Sequence, residues 1–192
     1  VTSKPRLYFD LGSPYAYLAT TRAAAVLGVA PELEPVLLGA IFQRRGSGSW
    51  SQTPERDRHV AEIERRAGAY GLPPVAWPPG WPVGGLPAMR AATWAKERGA
   101  VDAFTHAAYR RAFVRGQDVS DVDTLAAAAQ DAGLDADAMR EAIGTDAIKR
   151  RLRQATEAAW DAGVRGVPTL AVGRRLFYGD DRLEAAARLV AP

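Results

Sequence analysis

With 192 residues, 47% of them hydrophobic and 24% charged, the chain has the size and composition of an ordinary globular protein, either one domain or one domain with a large insertion. It has no cysteine, which excludes disulfides, thiolate metal sites and any chemistry by a protein thiol; its two histidines, His59 and His106, form nothing like an HExxH metal pair, and each is expected on a helix surface. The formal charge of +3 is spread over segments such as Glu62 to Arg66 and Lys149 to Arg153, where acids alternate with bases, so a solvated surface with mild attraction for small anions is expected, not a nucleic-acid face.

No apolar run approaches the roughly 18 residues that span a bilayer. The chain enters its first apolar stretch almost at once, so no signal peptide is expected and a cytoplasmic location is the default. That first stretch, Arg6 to Leu18, reads as a strand, a sharp corner and a helix start. Leu7, Tyr8, Phe9 and Leu11 suit a strand covered on both faces. Ser13 stands at an N-cap position and Pro14 at the first helical position, where its missing N–H costs nothing. The helix should run to about Gly28. A hydroxyl is thus presented at the positive end of a helix, where anion or thiolate chemistry is often placed, although capping alone would also account for Ser13.

Glu34 to Leu38 reads as a second strand, and Gly39 to Phe42 as the start of a helical turn. Arg44 to Gln52 is a Gly/Ser loop, either a lid over a pocket or a plain connector. Thr53-Pro54 should open a helix that ends near Tyr70. Between Leu72 and Pro87 stand Pro73, Pro74, Pro78, Pro79, Pro82 and Pro87, which forbid a regular helix; Trp77 and Trp81 within this stretch line an apolar cavity or pack over the core. Helices are expected over Ala88–Arg98, Val101–Val114, a segment capped by Ser120, a short one from Leu134-Asp135 to Ile143, and Thr145–Gly163. Gly166 to Val172, a turn at Gly173-Arg174-Arg175 and Leu176 to Tyr178 read as a β-hairpin; a proline beginning a central strand is unusual, and a cis Val167-Pro168 bond would explain it. Gly179-Asp180-Asp181 then opens a last helix through Leu183, Ala187 and Val190.

The order strand–helix–strand, helical block, helix–hairpin–helix resembles an α/β thioredoxin-like fold. In it a large all-helical domain, residues 44–160, is inserted between the βαβ and ββα halves, residues 1–43 and 161–192. The segments FDLGSPYAYL, LLGAIF, LPAMRAA, GQDVSD, GVPTL and YGDDRLE, read in order, resemble the 2-hydroxychromene-2-carboxylate isomerase family, close to the kappa-class glutathione transferases and the DsbA-like proteins. The pattern departs from the family at Gly84 and Gly85, where polar residues are usual, around Arg56 and Arg58, where Lys and Tyr are usual, and at Tyr178, where Trp is common.

The resemblance implies a glutathione-dependent cis–trans isomerase of aromatic breakdown, in which glutathione or another low-molecular-weight thiol supplies the sulfur that the chain lacks. Ser13 would hydrogen-bond that sulfur. The Val167 backbone ahead of Pro168 would pair with the peptide, and Gly179, Asp180 and Asp181 would hold the γ-glutamyl end. Trp77, Trp81 and one of Arg44, Arg45 or Arg56 would meet an aromatic pyruvate substrate. Relatives of this kind are commonly homodimers, and neither a nucleic acid nor a membrane is an expected partner. Two other readings stand beside it: a kappa-like transferase that consumes the thiol, and a non-catalytic binding module on a cysteine-free thioredoxin scaffold.

Overall fold

The computed structural model describes residues 4–190. Four strands, β1 (Arg6–Phe9), β2 (Glu32–Pro35), β3 (Thr169–Val172) and β4 (Arg175–Tyr178), form one sheet in the order β2-β1-β3-β4. β1 runs parallel to β2 and antiparallel to β3, which forms an antiparallel hairpin with β4. Burial follows position: Leu7, Tyr8 and Phe9 of the central β1 are buried on both faces, whereas β4, at the edge, is largely exposed.

Helix α1 (Pro14–Leu27) starts with the Ser13 cap and ends at Gly28, whose left-handed φ of 70° closes the last turn. It packs against α3 (Arg56–Ala69) and α9 (Leu183–Ala187). Between β2 and β3, among the described residues, stand α2 (Leu38–Arg45), α3, α4 (Leu86–Glu97), α5 (Val101–Tyr109), α6 (Val122–Asp131), α7 (Ala136–Ala142) and α8 (Asp146–Asp161). The arrangement is thioredoxin-like, with a βαβ half and a ββα half sharing the sheet and a helical segment between them. Aromatic contacts tie that segment to the sheet and to α1: Tyr109 meets Phe9 of β1 edge-on at 6.3 Å, and Tyr17 of α1 lies against Tyr109 and Phe113. Such pairs add about 1 kcal/mol each beyond their burial.

The structure differs from the sequence reading at several boundaries. The second strand lies at Glu32–Pro35, not Glu34–Leu38, because the Val36 N–H bonds to the Phe9 carbonyl past the ladder and the Leu38 N–H is taken by Asp10. Val36 and Leu37 are therefore the connection into α2, which Leu38 opens. α3 begins at Arg56, since the Thr53 N–H closes a 3-10 turn, Trp50–Gln52, by bonding to the Trp50 carbonyl. α6 is capped by Asp121, which accepts from the Asp123 and Thr124 N–H groups, while the Ser120 N–H is held by Asp118. The helix through Val101 ends in a π-helical turn, Arg110–Val114. Val167-Pro168 is cis, and so is Trp81-Pro82.

Candidate active site

The end of β1 and the start of α1 make the corner on which the site is built. Asp10 is buried, and one carboxylate oxygen accepts the Gly12 N–H at 2.8 Å while the other accepts the Leu38 N–H at 2.9 Å. Leu37, the N-cap of α2, offers no side-chain acceptor, so Asp10 does that work from a distant part of the chain. Burial pushes the Asp10 carboxyl up to about 6, against the pull of those two N–H groups. One residue thereby fixes both the Ser13 corner and the first turn of α2.

Ser13 is 7% exposed, and its Oγ accepts the Ala16 N–H at 3.2 Å. A hydroxyl has one proton and two lone pairs, so the cap leaves the proton free for a second partner. Pro14 carries no N–H, and Tyr15, in the second helical position, has no intrahelical acceptor for its own. Ser13 opens onto a cavity of about 420 Å³ whose walls also include Val167, Pro168, Gly179 and Asp181.

The floor on the hairpin side is mostly backbone. β3 begins at Thr169, so Val167 takes no part in the ladder, and the Pro168 carbonyl accepts the Gly179 N–H at 3.0 Å. Gly179 has φ of 111°, and a Cβ there would lie 2.5 Å from the Asp181 carboxylate. Asp180 also lines the cavity, yet its carboxylate is 1% exposed and engaged inward, accepting from Arg66 at 2.7 Å and from the Tyr70 hydroxyl at 2.9 Å. Burial nonetheless pushes this carboxyl above its ordinary range. Asp181, half exposed, lines the cavity with its carboxylate 3.8 Å from Arg66.

The opposite wall comes from α1, α3 and the loops. The Tyr15 hydroxyl lies 2.7 Å from His59 Nδ1, Trp50 stacks on His59 at 4.4 Å, and Trp81 lies 5.5 Å from Trp50. Trp81 is held by its indole N–H on the Gly12 carbonyl at 3.2 Å. Burial pushes the Tyr15 phenol up to about 12 and, with the Arg58 charge, pulls the His59 imidazole below its ordinary value of 6.5. Ser47, Gly48 and Ser49 of the Gly/Ser loop complete the rim, so this loop borders the cavity.

Other residues singled out in the sequence lie elsewhere. Trp77 sits behind Trp81, at 4.8 Å, with its indole N–H on Glu64, and does not line the cavity. Arg56 lies outside the lining too, its guanidinium 5.9 Å from the Trp81 ring and 3.4 Å from Asp57. Arg44 belongs to a second cavity, with Arg90 and Arg153. Arg45 does line the site; it donates to the Arg165 carbonyl at 2.8 Å and has no carboxylate partner among the described residues. Tyr15, His59, Trp50 and Arg66 were not singled out from the sequence. A signal for two of them was present: His59, Ile63, Arg66 and Tyr70 recur at the spacing of one helix face, and Ile63 is fully buried.

Among the described residues no group of His, Cys, Asp and Glu could hold a metal ion, and no helix is long and apolar enough to cross a membrane. Residues 6–191 match the family model described as a DSBA-like thioredoxin domain. The chain is 32% identical to a 2-hydroxychromene-2-carboxylate isomerase of Sphingobium xenophagum, over 92% of each chain. It is 24% identical to human glutathione S-transferase kappa 1, over 96% of this chain and 89% of that one. A solved structure of a 2-hydroxychromene-2-carboxylate isomerase superposes with a TM-score of 0.84 at 23% identity, covering 96% of this chain and 95% of that one. The chain therefore belongs to the DSBA-like thioredoxin-domain family, in its 2-hydroxychromene-2-carboxylate isomerase branch.

Proposed function

We propose that the protein is a glutathione-dependent isomerase that interconverts 2-hydroxychromene-2-carboxylate, or a related aromatic hemiketal acid, with its open trans-benzylidenepyruvate form. The observation that carries this reading is the convergence, on one cavity of a chain without cysteine, of a capped serine hydroxyl, an unladdered backbone at a cis-proline and a glycine-acid turn. Each suits one part of a γ-glutamyl tripeptide. Bound glutathione supplies a thiolate that adds reversibly to the conjugated double bond, so that the bond can rotate and the thiol is not consumed.

The chain's own groups do the rest. The Ser13 proton is available to a sulfur anion, and the first turn of α1 favours that charge. The Val167 backbone offers strand-like pairing to a peptide. The Asp181 carboxylate suits an ammonium, and the amides at the Asp180 turn suit a carboxylate. Trp50, Trp81 and the His59 ring form an aromatic shelf for the acceptor, and Arg45 is the cation placed for its carboxylate. In this reading segments 1–43 and 161–192 hold the thiol, and segment 44–160 carries most of the acceptor wall. A homodimer in the cytoplasm is part of the proposal.

The test is turnover of 2-hydroxychromene-2-carboxylate with catalytic glutathione, followed by absorbance together with titration of free thiol. Turnover at constant thiol supports the isomerase. Thiol lost in step with acceptor identifies a kappa-like transferase. Activity equal with and without glutathione, or none at all, overturns the proposal.

A further inference from the structure

Tyr15 and His59 are the titratable pair of the acceptor wall, and the thiol chemistry uses neither. They come from different elements, α1 and α3, yet meet at 2.7 Å inside the cavity that Ser13 faces. Their geometry is held from several sides. Trp50 stacks on the imidazole with 28° between the planes, Tyr15 stands edge-on to both Trp50 and His59, and the Arg66 guanidinium lies 5.7 Å from the Tyr15 ring. A phenol and an imidazole fixed in this way form a two-member chain for moving a proton between the cavity and a nitrogen base.

We propose that Tyr15 and His59 form the acid–base relay that opens and closes the hemiketal ring of the acceptor, with Tyr15 touching the substrate oxygen and His59 holding the proton. This rests on the isomerase reading above and adds a step that precedes the thiol chemistry. The Tyr15 O–H donates to Nδ1 of a neutral His59, which turns the phenol oxygen's lone pairs toward the cavity. The hemiketal O–H gives its proton to the Tyr15 oxygen as the Tyr15 proton passes to His59 Nδ1, leaving an imidazolium. The electron pair of the broken O–H bond forms the ketone. The bond from that carbon to the ring oxygen breaks, and its pair stays on the ring oxygen as a phenolate. Tyr15 then protonates the phenolate and recovers its own proton from His59. The net change is one C–O bond broken, one ketone formed and one proton moved from the hemiketal oxygen to the released phenol oxygen, with no other reactant.

The burial that keeps Tyr15 protonated and His59 neutral near pH 7 suits this resting state. The charges facing His59 on its own helix are Glu55, Arg58, Glu62 and Arg66; across the contact, Tyr15 is itself faced by Asp180 and Tyr178. The relay fails once His59 is protonated, so activity falls as pH drops through a value below 6.5.

The experiment measures pH–rate profiles for wild type, Tyr15→Phe and His59→Asn, with calorimetric glutathione binding and thermal unfolding on each, and nitrogen NMR of the wild-type imidazole. Both variants are expected to bind glutathione as wild type does, to lose about 100-fold in kcat and to lose the acid limb; His59 Nδ1 is expected to resonate as an unprotonated nitrogen at pH 7. Tyr15→Phe removes a single oxygen, so it keeps the test open if His59→Asn does not fold. Variants that turn over at the wild-type rate, or a protonated Nδ1, overturn the relay while leaving the isomerase reading intact. A wild type that binds no thiol or opens no chromene overturns that reading, and the relay with it.

Discussion

The two walls of the cavity are built in different ways. The wall proposed to hold the thiol is short-range chain geometry: a serine cap at Ser13, a cis bond at Val167-Pro168 and a left-handed Gly179. The wall proposed to meet the acceptor is assembled from Tyr15, Trp50, His59 and Trp81, which reach it from α1, a 3-10 turn, α3 and a proline-rich loop. Backbone geometry of the first kind tolerates little substitution and suits an invariant ligand. Side chains of the second kind can be exchanged without moving the frame, which suits a wall that sets acceptor choice.

The sharpest way to break the contrast is Ser13→Ala. Turnover is expected to fall about 100- to 1,000-fold, as when one donor to a developing anion is removed. The lost cap should cost only about 1 kcal/mol in thermal unfolding. Loss of stability without loss of turnover would leave Ser13 as a cap alone.

Asp10, which holds both the Ser13 corner and the first turn of α2, gives the next largest effect. Its folded pKa of about 6 lies above the ordinary 3.8, so the folded state binds its proton more tightly than the unfolded chain does. Its stabilising share is complete below pH 3.8 and is lost as pH rises through about 6, a change of about 3 kcal/mol. Urea unfolding at stepped pH should show this decline in wild type and a flatter profile in Asp10→Asn.

Gly179→Ala tests the rigidity of the thiol wall. The φ of 111° and the 2.5 Å approach to Asp181 should cost about 2 kcal/mol and weaken glutathione binding, with acceptor preference unchanged. The smallest effect is expected on the other wall. Trp50→Leu should raise KM for the aromatic acceptor about 10-fold, or about 1.4 kcal/mol, while Trp77→Leu should leave that KM where it was. Equal shifts in both would mean that the shelf extends to Trp77.

The same contrast decides what was legible in the sequence. Ser13-Pro14 and Val167-Pro168 announce their geometry through local rules, and α1, the hairpin and most helices follow from capping and apolar spacing. The strand end at Pro35 depends on Asp10, a distant acceptor for the Leu38 N–H that no local pattern encodes, and the start of α3 is delayed by the 3-10 turn that the Thr53 N–H closes on the Trp50 carbonyl. The resemblance implies a ligand role for Asp180, and no local pattern tells whether its side chain or its backbone would serve; Arg66 and Tyr70, far away in the chain, engage the carboxylate and leave the backbone of the turn to the cavity. Trp77 and Trp81 are indistinguishable as neighbours in a proline-rich loop, and only the Gly12 carbonyl, which holds the Trp81 indole, assigns one of them to the cavity. His59, expected on a helix surface, is half buried, one turn from the buried Ile63 on the same side of α3.

The most direct test of the account is calorimetric binding of glutathione to wild type and to Ser13→Ala, with the ultraviolet absorbance of the thiolate followed in the same titrations. The account predicts saturable binding to wild type at neutral pH with a thiolate signal, and a Ser13→Ala protein that still binds the tripeptide but shows that signal only at higher pH. A wild type that binds no glutathione, or a thiolate signal that is the same in both proteins, would contradict it.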